Sequence, residues 1–281
     1  MDVNKLRGRQ FHSQQELNQA LGELFAEDRL EYIRQYEMAN TGGGNEKPFR
    51  LDDNNNWVIA HDCIQEAGNV GQDYFFQDIW GAQRIHESGA THAYDIGSRV
   101  DGFIAHLLAM NIQVTLLDIR PFPHPVDGLH FIQADAMKLD NIPDDSVQTL
   151  SSLCALEHFG LGRYSDPVDY DGWKKALHAI KRKIKVDGWF YLSVPVGHED
   201  KLIFNAHRIF RPSTIVRELE PELSLQEFSY VANWKINTCF VNGADDGVLE
   251  FVSDNKLKFE GKNGFTGLFA FKKLRISINN Q

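Results

Sequence analysis

The chain is poor in several things, and each shortage excludes something. Its 281 residues include only three cysteines, Cys63, Cys154 and Cys239. Few, odd in number and widely spaced, they form neither a disulfide framework nor a zinc-ligand pattern, so a reducing, cytoplasmic setting is expected. No apolar stretch approaches the roughly 18 residues of a membrane-spanning helix. The polar residues 1–10 lack the apolar centre of a signal peptide, so no integral membrane association is expected. Positive charge is also short: 29 Lys and Arg face 39 Asp and Glu, a net charge of -10. That argues against a generic nucleic-acid or anionic-membrane surface, while leaving room for a local basic groove. There is no internal repeat and no long low-complexity tract.

What remains is an ordinary globular composition, 42% hydrophobic and 24% charged, in a chain long enough for one large domain with an extension. Ser13-Gln-Gln-Glu16 is a capping box. Behind it Leu17, Ala20, Leu21, Leu24 and Phe25 recur at helical spacing, and Leu30, Ile33 and Tyr36 suggest a second helix. The triple glycine at 42–44 follows a helix rather than a strand and lacks a P-loop Lys-Ser/Thr, so it reads as a connection. Residues 73–84 read as an aromatic helix, packing on a sheet with one or two rings free to close over a ligand.

From His92 the pattern alternates between apolar strands and helices. The first strand ends at Asp95, the second at Asp118 and the third at Asp135. Pro121, Pro123 and Pro125 break the chain where another helix would stand. A fourth strand covers 147–154, an amphipathic helix 172–185, a fifth strand 189–194 and a helix 212–220. Strands at 225–231 and 267–273, with no clear helix between, predict an antiparallel finish to a mostly parallel sheet. The fold expected is therefore α/β: a doubly wound, Rossmann-like domain over residues 91–281, with residues 1–90 as a helical extension that lids the ligand.

Gly97 lets the backbone turn tightly and approach a ligand after the first strand. Asp118, 23 residues after Asp95, is placed to take ribose hydroxyls, and Asp135-Ala136 to meet an adenine amino group. Singly, each aspartate reads as a cap or turn residue. Three at successive strand ends point to a nucleotide-type cofactor.

In this order the motifs resemble those of class I S-adenosylmethionine-dependent methyltransferases over about residues 92 to 275. Asp95-Ile-Gly97 matches their first motif, Asp118 their acidic residue after strand 2, and Asp135-Ala136 their adenine-contacting pair. The resemblance implies S-adenosylmethionine as cofactor, with Ser98 in the same loop and Ser152 on the fourth strand as further cofactor-side residues. The chain departs from the family's glycine-rich loop by carrying Arg99 and Asp101 at its second and third glycine positions. Arg99 could then hold the cofactor's carboxylate. A nicotinamide enzyme needs those glycines for its pyrophosphate, which a methyl donor does not carry. Glu157-His-Phe-Gly-Leu-Gly-Arg-Tyr-Ser-Asp-Pro167 and Asn205-Ala-His-Arg-Ile-Phe-Arg-Pro212, with Asp95–Arg99, are similar to an uncharacterised methyltransferase-like family associated with bacterial surface-polysaccharide gene clusters.

Loops after strands 4 and 5 border the reactive end of such a cofactor. Methyl transfer needs an aligned acceptor and a base, which for a hydroxyl suits a histidine titrating near neutrality. His158 is the favoured base and His207 a second candidate. Glu157 orients His158 or binds the acceptor. Arg163 and Arg208 could bind an anionic part of the substrate. Each histidine also has a plain structural reading, as a strand cap or a hydrogen-bonded partner. The expected activity is O-methylation of a sugar hydroxyl on a glycan or nucleotide sugar, with no nucleic-acid partner. The alternatives are methylation of another small molecule, a binding module without turnover, and an enzyme using another nucleotide.

Some methyltransferases hold a divalent cation with Glu-x-x-Glu-His after strand 4. Here Cys154-Ala-Leu-Glu157-His158 puts cysteine, a poor Mg²⁺ ligand, in the first position. His207 could complete a softer site, but no metal is assigned to the site residues.

Overall fold

A computed structural model of the chain describes residues 10–41, 48–51, 59, 61–64, 70, 73–241 and 264–275. The triple glycine and residues 1–9 lie outside them. Two compact units divide the chain, residues 1–70 and residues 71–281. In the first, one long helix, α1 (Gln14–Asn40), replaces the two helices expected. Ser13 caps it by accepting the amide N–H of Glu16. Ala20, Leu21 and Leu24 on its buried stripe pack with Phe11, Leu17, Cys63 and Ile64.

The second unit begins with α2 (Asp73–Glu87), which packs on the sheet. The sheet follows in the order β3-β2-β1-β4-β5-β10-β8-β9. Strands β1 (His92–Ile96), β2 (Gln113–Asp118), β3 (Leu129–Gln133), β4 (Val147–Leu153) and β5 (Ile184–Val196) run parallel. Strand β10 (Phe265–Lys273) inserts antiparallel between β5 and β8 (Leu223–Ala232), and β9 (Lys235–Val241) extends the edge. This is the expected doubly wound, Rossmann-like sheet with its antiparallel finish. The order reverses between β1 and β4, and a crevice opens there at the carboxyl ends of the strands.

Strand periodicity distributes the core over both faces. Phe190, Leu192 and Val194 of β5 pack with α4 (Gly172–Lys183) and α5 (Pro212–Leu219) through Ala176, Ile180, Ile215 and Leu219. The intervening Tyr191 points the other way, joining Trp80 and Ile85 of α2 and Leu107 of α3 (Ala105–Ala109). A wide turn of helix, Val100–Ile104, leads into α3. The edge strand β9 and one hairpin have no forerunner in the sequence pattern. The short hairpin β6 (Lys201–Ile203) and β7 (His207–Ile209) stands between β5 and α5. Three-residue strands are too short for alternation to be read.

Among the described residues, no helix is long and apolar enough to cross a membrane. One buried charge fastens α2 to the sheet. Glu227 of β8, 7% exposed, accepts from Trp80 Nε1 at 3.0 Å and from Arg84 Nε at 2.6 Å. Those donors hold its carboxyl below the ordinary range against the opposing effect of burial. Arg84→Met leaves that carboxylate without its cation. It is expected to lower unfolding free energy by about 2–3 kcal/mol, read by urea denaturation.

Candidate active site

The three strand-end aspartates take three different roles. Asp95 is wholly buried and lines neither of the site's two cavities. Its Oδ1 accepts the Ser98 amide at 3.0 Å; its Oδ2 accepts the Ser98 hydroxyl at 2.8 Å and the Ser151 hydroxyl at 2.6 Å. Burial pushes its carboxyl up to about 6. Ser98 Oγ in turn accepts from Leu153 N at 3.3 Å, and Ser152 Oγ donates to Ile96 O at 3.2 Å. Asp95, Ser98 and Ser152, expected on the cofactor side, therefore stitch β1 to β4 beneath the crevice.

The backbone then turns at Gly97, whose φ is +74°. A Cβ there would lie 2.9 Å from the Ala155 Cβ, so glycine is required both by conformation and by close approach. Asp118 and Asp135 do line a cavity with Gly97 and Ala136, walled by Ile96, Leu117 and Met137. Neither carboxylate is idle. Asp118 accepts from Arg120 through its amide at 2.8 Å, Nε at 3.0 Å and Nη2 at 2.7 Å. Asp135 accepts the Met137 amide at 2.9 Å.

The chain settles the missing glycines itself. Arg99 and Asp101 pair with each other at 2.7 Å on the surface. The side chain of Asp78, from α2, lies where a Cβ on Gly102 would fall, and it accepts the Phe103 amide. The N-terminus of the helical segment after β1 thus already carries a carboxylate. In a dinucleotide site that position takes the pyrophosphate.

A second, larger cavity adjoins the first and shares Gly97, Arg120, Cys154, His158 and Tyr164 with it. Cys154 follows β4 in the left-handed region, φ +50°. Its amide donates to Ser193 O and Ser193 Oγ, while Ser193 Oγ donates to Gln77 Oε1 at 2.6 Å. Burial pushes its thiol well up, so it stays protonated. The short turn Leu156–His158 then delivers two buried groups. Nδ1 of His158 lies 2.7 Å from the Ala206 carbonyl, which only accepts, so that nitrogen carries the proton. Nε2 lies 3.5 Å from Glu157 Oε1. Burial, with Arg163 nearby, pushes His158 down to about 4. Glu157 is 3% exposed, its Oε2 has no hydrogen-bond partner, and burial pushes its carboxyl up to about 8.

His207 and Arg99 line the second cavity; Arg208 lines neither. Its guanidinium donates to Phe159 O at 2.6 Å and reaches Tyr170 O at 3.4 Å, tying β7 to the loop after β4. The sequence reading missed Arg120, Tyr164, Asp78, Tyr74 and Gln77. Only the aromatic pattern of α2 hinted at the last three. Arg120 lies over the Tyr164 ring at 4.5 Å, between the cavities. Among the described residues no group of three His, Cys, Asp or Glu side chains is placed to hold a metal.

Residues 134–235, less than half of the chain, match a family model described as Caenorhabditis protein of unknown function, DUF268. No match is found among curated proteins. Among solved structures the chain is similar to 1,6-didemethyltoxoflavin-N1-methyltransferase of Burkholderia thailandensis, with bound 1,6-didemethyltoxoflavin and S-adenosylhomocysteine. Identity is 14%, coverage 71% of this chain and 79% of that one, and TM-score 0.49. It is also similar to N-methyltransferase NodS of Bradyrhizobium japonicum in complex with S-adenosylhomocysteine: 11% identity, 73% and 91% coverage, TM-score 0.44. A third is the [4+2]-cyclase SpnF, at 15% identity, 70% and 80% coverage, TM-score 0.48. None of this bears on polysaccharides.

Asp95→Ala leaves a buried amide and two hydroxyls short of an acceptor. It is expected to cost about 2–3 kcal/mol of stability. Asp118→Ala, at the cavity edge, should stay within about 1 kcal/mol of wild type. Thermal denaturation of the two variants side by side checks the division of roles.

Proposed function

We propose that this chain is an S-adenosylmethionine-dependent methyltransferase acting on a hydroxyl group of a small polar acceptor, with a sugar hydroxyl the class we favour. One observation carries the reading. A slot edged by strand-end aspartates opens into a larger cavity lined by a buried, neutral carboxylic acid with a free oxygen. The methyltransferase structures that carry S-adenosylhomocysteine are consistent with it.

The residues present fit an adenosine. Ile96, Leu117 and Met137 form apolar walls, and Asp118 and Asp135 stand at the edges for ribose hydroxyls and an adenine amino group. Asp118 takes the ribose by exchanging its contacts with Arg120, whose side chain is half exposed and held weakly for an ion pair. Asp78 of α2, lying against the helical segment after β1, disfavours a dinucleotide. S-adenosylmethionine supplies an activated methyl group when bound. The chain's own residues would align an acceptor hydroxyl beside that methyl group and take up the proton the hydroxyl gives up.

Glu157 rather than His158 is the proton acceptor in this reading. His158 has its Nδ1 committed to Ala206 and titrates near 4, too low for effective deprotonation of a hydroxyl. Glu157 titrates near 8 and has an oxygen without a partner. His158 and Arg208 position it and its loop. A second reading, binding without turnover, draws on the hold of Arg120 on Asp118.

Calorimetry is expected to show S-adenosylhomocysteine binding to the wild type, at least tenfold weaker binding to Asp118→Ala, and no binding of NAD. Absence of S-adenosylhomocysteine binding would sink the cofactor assignment; binding without product would favour the second reading. Because Glu157 acts ionised, turnover should rise with pH and level off above about 8. A plateau already reached above about 4 would return the role to His158. Glu157→Gln should lower the rate by about 10²-fold or more and remove the rise.

A further inference from the structure

Charge in the second cavity is unevenly satisfied. Arg99 is paired with Asp101, and Arg120 with Asp118. Asp73 accepts the Thr266 hydroxyl at 2.8 Å, and Asp78 accepts from Gln77 at 3.1 Å and from the Phe103 amide. Glu157 and His158 are both neutral near pH 7. Arg163 is different. Its Nη1 donates to Ala206 O at 2.8 Å, and its guanidinium lies over the Tyr164 ring at 5.2 Å. Among the described residues no carboxylate pairs with it, and its Nε and Nη2 have no protein acceptor. Its field also helps lower the basicity of His158 and His207, as an uncompensated cation does.

One imidazole separates this cation from the carboxyl group. Nε2 of His158 is 3.4 Å from Arg163 Nη1 and 3.5 Å from Glu157 Oε1. Two free N–H donors of a guanidinium match the paired oxygens of a carboxylate or phosphate. We infer that the acceptor is a hydroxylated anion, and that Arg163 binds its carboxylate or phosphate close beside the hydroxyl presented to Glu157. The inference rests on the reading of the second cavity as the acceptor site. It narrows the class from polar hydroxyl compounds to sugar acids and sugar phosphates, and it gives the anion to Arg163 rather than to Arg208, which is spent on backbone carbonyls.

The test is calorimetric binding of glucuronate, glucose 1-phosphate and the neutral methyl glucoside to wild type, Arg163→Ala and Arg163→Lys. At least one anionic probe should bind wild type tenfold or more tightly than methyl glucoside, and which one does separates carboxylate from phosphate. Arg163→Ala should abolish that preference, Arg163→Lys should retain part of it, and added salt should weaken the anion on wild type. Equal binding of the neutral sugar, no binding of either anion, or a preference unchanged in both variants would overturn the inference. Should Arg163→Ala not fold, the lysine variant and the salt series decide. S-adenosylhomocysteine binding is measured on the same samples. Its absence alongside Arg163-dependent anion binding removes the cofactor reading and leaves the anion site standing; the reverse removes only the anion site.

Discussion

The crevice depends on one buried carboxyl group. Asp95 sits between β1 and β4, the pair at which the strand order reverses, and takes three donors from Ser98 and Ser151. An unpaired carboxyl at that depth would be strongly disfavoured; satisfied, it fixes the turn after β1 against the end of β4. Gly97 can then bring its backbone against Ala155, and Leu156–His158 can present Glu157 to the cavity beyond. Ser152 and Ser193 extend the same stitching to β5.

Around that anchor the two cavities differ in chemistry. The smaller has apolar walls and aspartates at its edge, suited to a flat heterocycle with polar substituents. The larger holds a cation without a carboxylate partner, a neutral acid and a neutral imidazole within one side-chain length of each other. Arg120 stacks on Tyr164 where the cavities meet, so filling one bears directly on the other.

The environment of the β4 loop reverses the ordinary order of acids and bases. Burial lowers His158 and raises Glu157, so the carboxylate becomes the stronger base of the two. A histidine near neutrality is a fair expectation for an isolated side chain. It fails here because Ala206 takes Nδ1 and the low-dielectric surroundings penalise the imidazolium.

The alternation of apolar runs and punctuating aspartates was enough to place the parallel strands, their antiparallel finish and the crevice. Side-chain period and strand-end chemistry are local properties, and β1 through β5 are long or apolar enough to display them. The same locality explains why Gly97, Asp118, Asp135, Glu157, His158 and His207 could be nominated. What the sequence could not divide was their labour. Asp95 and Asp118 look alike in the chain, yet one is a buried brace and the other edges a cavity. Arg163 and Arg208 look alike, yet one faces a cavity and the other holds carbonyls. Arg120 gave no signal at all, and the β6–β7 hairpin was too short to show one. Those distinctions depend on burial and on partners brought together from distant positions, such as Ser151 to Asp95 and Ala206 to His158. Only the folded chain decides them, because desolvation and hydrogen bonding act on where a side chain ends up, not on which residues flank it.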